Sequence, residues 1–226
     1  MNPIIVALDL PTLDDAETLA KELLDEVGGF KVGMELLMAE GPGAIERIAG
    51  LGRPVFADAK LHDIPNTVER AAARVGDAGA RWVTVHAGGG LEMIQAANSG
   101  MGGTGVLAVT VLTSLSASDL PEVGITASVE DHVARMAALA TAASAEGVVC
   151  SPAEIRVVRS ADRGLKVFTP GVRPQQSATD DQRRVATPET AIREGADYLV
   201  IGRPITRADD PVESVRKIAA TIASSR

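Results

Sequence analysis

Short β-branched runs recur along the chain, separated by segments of helical period. IIVALD from Ile4, FKVGM from Phe30, PVFADAK from Pro54 and WVTVHA from Trp82 read as strands, followed by VLAVTVL from Val106, GVVC from Gly147, LKVFTP from Leu165 and YLVIG from Tyr198. In DDAETLAKELLDEV the apolar positions Ala16, Leu19, Ala20, Leu23, Leu24 and Val27 follow the three-and-four spacing of one helix face. TVERAAARVGDAG, VEDHVARMAALATAA and PVESVRKIAATIA have the same helical character.

The strands are mostly apolar on both faces, as strands of a parallel sheet covered by helices are. Every connection is long enough for a parallel crossover. Eight strands, each followed by a helical or partly helical segment within 226 residues, predict an α/β fold, a closed (β/α)8 TIM barrel forming a single domain over residues 1–226. An open doubly wound sheet shares the alternation. Its usual phosphate fingerprint is a glycine-rich turn after the first strand, and ALDLPTLDDA has none. The most loop-like stretches run from Thr113 to Thr126 and from Gly171 to Arg184.

Composition narrows the partners. The chain is 46% hydrophobic, enough to bury a substantial core. Lys and Arg number 22 against 30 Asp and Glu, a formal net charge of -8, and aromatics make up 2%. A nucleic-acid partner is therefore not expected, because a polyanion needs a positive footprint and base stacking needs aromatic platforms. No apolar stretch reaches the roughly 18 residues of a membrane span, and PIIVALD carries no basic segment leading into a secretory leader. The single Cys150, in GVVCS at a strand end, reads as a small buried residue in a reducing compartment. A cytoplasmic protein is expected.

The third strand raises the chemical question. FADAKLHDIPNTV places Asp58, Lys60 and Asp63 within six positions, where a strand serving only the core would carry apolar groups. Barrel active sites gather at the C-terminal ends of the strands. Asp9 ends the first strand, Lys31 lies in the second, Asp58 and Lys60 end the third on one face, and His86 ends the fourth. An internal ion-pair network is the alternative reading, but apolar replacements would often be as stable as paired buried charges, which favours function. Two lysines repel a metal cation, and His62, His86 and His132 lack compact ligand spacing. A Schiff-base lysine is opposed by carboxylates that keep it protonated. The cluster suits proton delivery from a positioned ammonium to a centre where charge moves. Later in the chain, TPGVRPQ and IGRPI bring Gly171, Gly202 and Arg203 to the loops after strands seven and eight, where such barrels often bind phosphate.

Together, DAKLHDIPNT in its D-x-K-x-x-D spacing, LD at Asp9, FKVG at Lys31, TPGVRP at Thr169 and IGRPI at Arg203 resemble orotidine 5'-monophosphate decarboxylase over nearly the whole chain. The resemblance implies a homodimeric barrel that converts orotidine 5'-monophosphate to UMP and CO2 without metal or organic cofactor. It implies an alternating network of Lys31, Asp58, Lys60 and Asp63, with Asp63 and Thr67 reaching the partner subunit's site. Asp9 would bind ribose and Ser114 the pyrimidine edge, while Gln175 or its neighbour Gln176, Gly202 and Arg203 would hold the phosphate. Lys60 would protonate C6. Two other classes stay open: a metal-dependent sugar-phosphate lyase or decarboxylase on the same barrel, and a nucleotide-binding barrel without catalysis. Relatives of the first kind have an acidic metal ligand in the second strand, where this chain has Lys31.

Overall fold

A computed structural model describes residues 2–173 and 186–224. The eight expected strands are present: β1 Ile4–Ala7, β2 Gly29–Val32, β3 Val55–Leu61, β4 Trp82–His86, β5 Val106–Val109, β6 Gly147–Val149, β7 Lys166–Thr169 and β8 Tyr198–Ile201. Each pairs in parallel with the next, and β8 returns to β1 with Leu199 opposite Ile4, so the sheet closes into a barrel. Strands are shorter than the apolar runs suggest. VLAVTVL, for example, is strand only through Val109 and then runs into the loop at the barrel mouth.

Among the described residues, helices α1 Leu13–Glu22, α2 Met34–Glu40, α3 Gly43–Ala49, α4 Pro65–Asp77 and α5 Leu91–Gly100 surround the first half. The second half carries α6 Val129–Ala142, α7 Ile155–Ala161, α8 Pro188–Glu194, a short α9 Arg203–Thr206 and α10 Pro211–Ala223. Side chains start several of them. Thr12, Ser128 and Asp210 accept from the amides of Asp15, Asp131 and Glu213, satisfying donors that the first helical turn leaves unpaired.

Two apolar layers hold the barrel. The larger lies between the strands and the helices; the smaller fills the barrel interior. Of the chain's three Phe, one Trp and one Tyr, only Phe30 lies outside that interior cluster. Phe168 stacks on Tyr198 at 4.4 Å between centroids and meets Trp82 and Phe56 edge-on at 5.1 and 5.6 Å. The scarce aromatics thus form a plug, and Phe56 at its top is the floor of the cavity above.

Glu146 ties the opposite, N-terminal end of the barrel. Its carboxylate accepts from Arg81 Nη2, Trp82 Nε1, Thr104 Oγ1 and the Gly105 amide at 2.7 to 3.0 Å. Burial raises its pKa, but the bonds from Arg81, Trp82 and Thr104 outweigh this and hold it below the usual carboxylate range. Glu146→Ala is expected to cost about 2–3 kcal/mol, because several donors lose a charged acceptor. A thermal melt should show a Tm lower by about 5–10 °C. A group with a depressed folded-state pKa stabilises above its unfolded pKa, so the difference between the two proteins should shrink as pH falls through the folded pKa.

Candidate active site

Above the aromatic plug, a cavity of about 500 Å³ opens at the C-terminal ends of the strands. Asp9, Lys31, Asp58, Lys60, Gly202 and Arg203 all line it. Asp9 stands two residues past β1, where the Leu8 amide still bonds the Lys31 carbonyl at 2.9 Å and keeps the two segments in register. The charges alternate in space. Lys31 Nζ lies 2.9 Å from Asp9 Oδ1 and 3.6 Å from Asp58 Oδ2, and Lys60 Nζ lies 2.8 Å from that same Asp58 oxygen. Burial pushes the Asp58 carboxyl up, and the two ammonium groups with the Lys60 and Thr84 hydrogen bonds pull it further down, leaving it ionised.

Lys31 therefore sits as a buried cation between two carboxylates. A divalent ion there would compete with a protonated amine. Gly33 makes room for the pair: a Cβ at that position would stand 2.4 Å from Asp9 Oδ1 and 2.8 Å from Lys31 Nζ. Among the described residues, no three or more His, Cys, Asp and Glu side chains gather as a metal set.

Lys60 reaches Asp58 through an irregular strand. Ala57 faces Val83 and Leu61 faces Val85, so β3 carries two more residues than β4 between these pairs. An even insertion preserves parity: Ala57, Ala59 and Leu61 pack toward the helices, while Asp58 and Lys60 face the cavity. The shared face expected from regular alternation is thus found, in a bulge. Lys60 adopts φ 48°, a left-handed conformation that costs a non-glycine residue on the order of 1–3 kcal/mol. Backbone strain of this kind clusters at functional sites.

The remaining candidates fall in several places. Asp63 and Thr67 are exposed, in the β3–α4 loop and the first turn of α4, and Asp63 Oδ1 accepts from the Ile64 amide at 2.7 Å. Within the chain, Asp9 rather than Asp63 supplies the second acid of the network. Ser114 is exposed, one residue past Thr113, which lines the cavity. Gln175 and Gln176 lie outside the described residues. His86 packs against His62 with ring centroids 5.4 Å apart. Burial lowers its pKa first, followed by His62 and Lys60, against the opposing pull of Asp58, so it is neutral near pH 7.

Residues not singled out from the sequence join the site. Arg173 and Arg207 line the wall that carries Arg203, which gives that side a cluster of guanidinium groups suited to a phosphate. The run TPGVRP held the signal for Arg173. Thr84, inside β4, donates to Asp58 Oδ1 at 3.0 Å and accepts from the Lys60 amide at 2.9 Å. In the sequence it reads as an ordinary β-branched strand residue.

The chain is similar to known proteins along most of its length. Residues 2–218 match the family model described as Orotidine 5'-phosphate decarboxylase / HUMPS family. The chain is 54% identical over 219 residues to orotidine 5'-phosphate decarboxylase of Anaeromyxobacter sp. (strain K), covering 96% of each protein. It is 46% identical over 222 residues to that of Sphingopyxis alaskensis, covering 98% of this chain and 99% of the relative. Among solved structures, orotidine 5'-phosphate decarboxylase from Lactobacillus acidophilus superimposes with a TM-score of 0.83 at 34% identity, over 98% of this chain and 99% of that one. A Geobacillus kaustophilus structure described as an uncharacterized conserved protein gives a TM-score of 0.85 at 36% identity, over 97% of this chain and 100% of that one. With the alternating charges at the barrel mouth and similarity along nearly its whole length, this chain belongs to the orotidine 5'-phosphate decarboxylase / HUMPS family.

Proposed function

We propose that this chain decarboxylates orotidine 5'-monophosphate to UMP and CO2, the step that completes a pyrimidine nucleotide. The observation that carries this reading is Lys31 between Asp9 and Asp58, with Lys60 on the far side of Asp58. An ammonium there disfavours the sugar-phosphate reaction through a metal-stabilised enediolate and favours one in which C6 of the pyrimidine becomes negative.

In the reaction the bond from C6 to the carboxylate breaks, its electron pair stays on C6, CO2 departs, and the Lys60 ammonium gives C6 a proton that solvent later replaces. A unit charge about 4 Å from an ammonium gains about 4 kcal/mol at an effective dielectric of 20. That corresponds to roughly a thousandfold in rate. A larger acceleration needs positioning, for which phosphate and ribose contacts remote from C6 supply binding energy. Asp58 holds the Lys60 ammonium in place and faces the departing carboxylate. Asp9 takes the ribose and Ser114 the pyrimidine edge, while Arg203, Gly202 and Gln175 take the phosphate. No metal or organic cofactor enters the scheme.

The functional unit is a cytoplasmic homodimer of single-domain barrels with composite sites, Asp63 and Thr67 serving the partner. Their exposure supports this, as does Ile64, an apolar residue between them in the chain that is 67% exposed.

Arg203→Ala is expected to weaken UMP binding by about 10–100-fold, the worth of one charge-assisted contact. Calorimetric titration checks it, and unchanged affinity removes Arg203 from the phosphate site. The reading itself is tested by mixing protein with orotidine 5'-monophosphate and following the orotate absorbance. Loss of the chromophore is expected. Binding without loss would leave a nucleotide-binding barrel.

A further inference from the structure

We propose that Thr84 is a positioning residue for the decarboxylation, its hydroxyl coupling the Lys60 backbone to the Asp58 carboxylate and thereby fixing where the reacting ammonium stands. The inference rests on the decarboxylase reading above.

Residues 58 to 60 stand opposite Thr84 alone, because Ala57 pairs with Val83 and Leu61 with Val85. The bulge denies this stretch a regular ladder. The Lys60 amide turns instead to Thr84 Oγ1 at 2.9 Å, and Thr84 Oγ1 lies 3.0 Å from Asp58 Oδ1. An amide only donates, so the hydroxyl accepts from Lys60. An ionised carboxylate only accepts, so the one hydroxyl proton goes to Asp58. The other Asp58 oxygen holds Lys60 Nζ at 2.8 Å. A circuit therefore leaves Lys60 at its amide, passes through Thr84 and Asp58, and returns to Lys60 at its ammonium.

Each link restrains the next. The threonine rotamer is stiff, and the residue is fully buried, with 0% exposure and no share in the cavity wall. It therefore acts on substrate only through Asp58 and Lys60. With one carboxylate oxygen bonded to the hydroxyl and the other to the ammonium, Asp58 does not rotate when a substrate carboxylate arrives. The bond that Thr84 Oγ1 accepts from the Lys60 amide secures that residue in its left-handed conformation at φ 48°. If Thr84 served only as a β-branched filler of the barrel, valine would replace it without kinetic effect.

Thr84→Val keeps the shape and removes the hydroxyl, and Thr84→Ser keeps the hydroxyl. The valine variant is expected to lose about 10–100-fold in kcat, as losses of groups that orient reacting residues do. KM should stay within about threefold of wild type, because no substrate contact is removed. Serine should restore kcat to within about threefold, since it offers the same donor and acceptor. Thr84→Ala stands in if the valine protein does not fold. A kcat within about twofold of wild type for the hydroxyl-free variant overturns the proposal, and so does a serine protein as slow as the valine one. If the wild-type protein does not turn over orotidine 5'-monophosphate, the decarboxylase reading fails, and crystal structures of the variants decide the Thr84 question. Positioning by Thr84 then requires that the hydroxyl-free protein lose the left-handed Lys60 or the contact between Lys60 Nζ and Asp58 Oδ2. Retention of both refutes it.

Discussion

Purified Lys60→Ala protein is expected to show no measurable decarboxylation while keeping the barrel. The substitution removes the proposed proton donor, an effect of about 10²–10⁴ in rate, and the charge proposed to face C6, worth about 10³ by the Coulomb estimate. One group provides both, so the two losses are not independent factors to be multiplied. Lys60 is also one of the groups that hold the Asp58 pKa down, and removing it shifts that carboxyl toward protonation. The fold should survive, because Lys60 stands at the cavity rim, outside both apolar layers. Circular dichroism and the melting temperature check the fold, and a coupled assay for CO2 checks the rate. A near-normal kcat would remove Lys60 from the chemistry.

Mixing two inactive proteins should restore activity. Asp63 lies in the loop beyond β3, exposed and bonded through its carboxylate to the next backbone amide, and it takes no part in the ion pairs among Asp9, Lys31, Asp58 and Lys60 of its own chain. If Asp63 serves the partner, a dimer of one Lys60→Ala and one Asp63→Ala chain has one site with both lesions and one with neither. Activity should then rise from nothing to about half that of a wild-type dimer per mixed dimer, as two-fold symmetry requires. Dissociation and re-association of the two proteins, with mass spectrometry to count mixed dimers, makes the measurement. No recovery in demonstrated mixed dimers would place Asp63 in its own subunit's site and refute the shared-site arrangement.

Much of the architecture is legible in the sequence because parallel barrel strands carry a strong local signal. YLVI and IIVA are apolar on both faces, and only a sheet covered on both sides buries such runs. The charges of DAKLHD stand out for the same reason: they break an apolar run where burial makes charge expensive. Three features were hidden. The bulge in β3 leaves no mark in composition, since its insertion preserves the inward and outward alternation of Ala57 to Leu61. Thr84 reads as an ordinary β-branched strand residue until the bulge gives its hydroxyl two partners. The aromatic side chains, so few that they served only to argue against base stacking, turn out to concentrate inside the barrel and set the cavity floor. Gly33 was visible within FKVG, but its reason was not. Only the approach of Asp9 to Lys31 shows that a Cβ would collide with the pair.

In the proposed reaction the ammonium and carboxylate network carries the decarboxylation with no metal ion. The most direct measurement incubates protein stripped of divalent ions by a chelator with orotidine 5'-monophosphate, and quantifies UMP and CO2 together. One UMP and one CO2 are expected for each substrate consumed, at a rate that added Mg²⁺ leaves unchanged. Intact substrate after prolonged incubation, or turnover that appears only when Mg²⁺ is restored, would refute a metal-free reaction at this network.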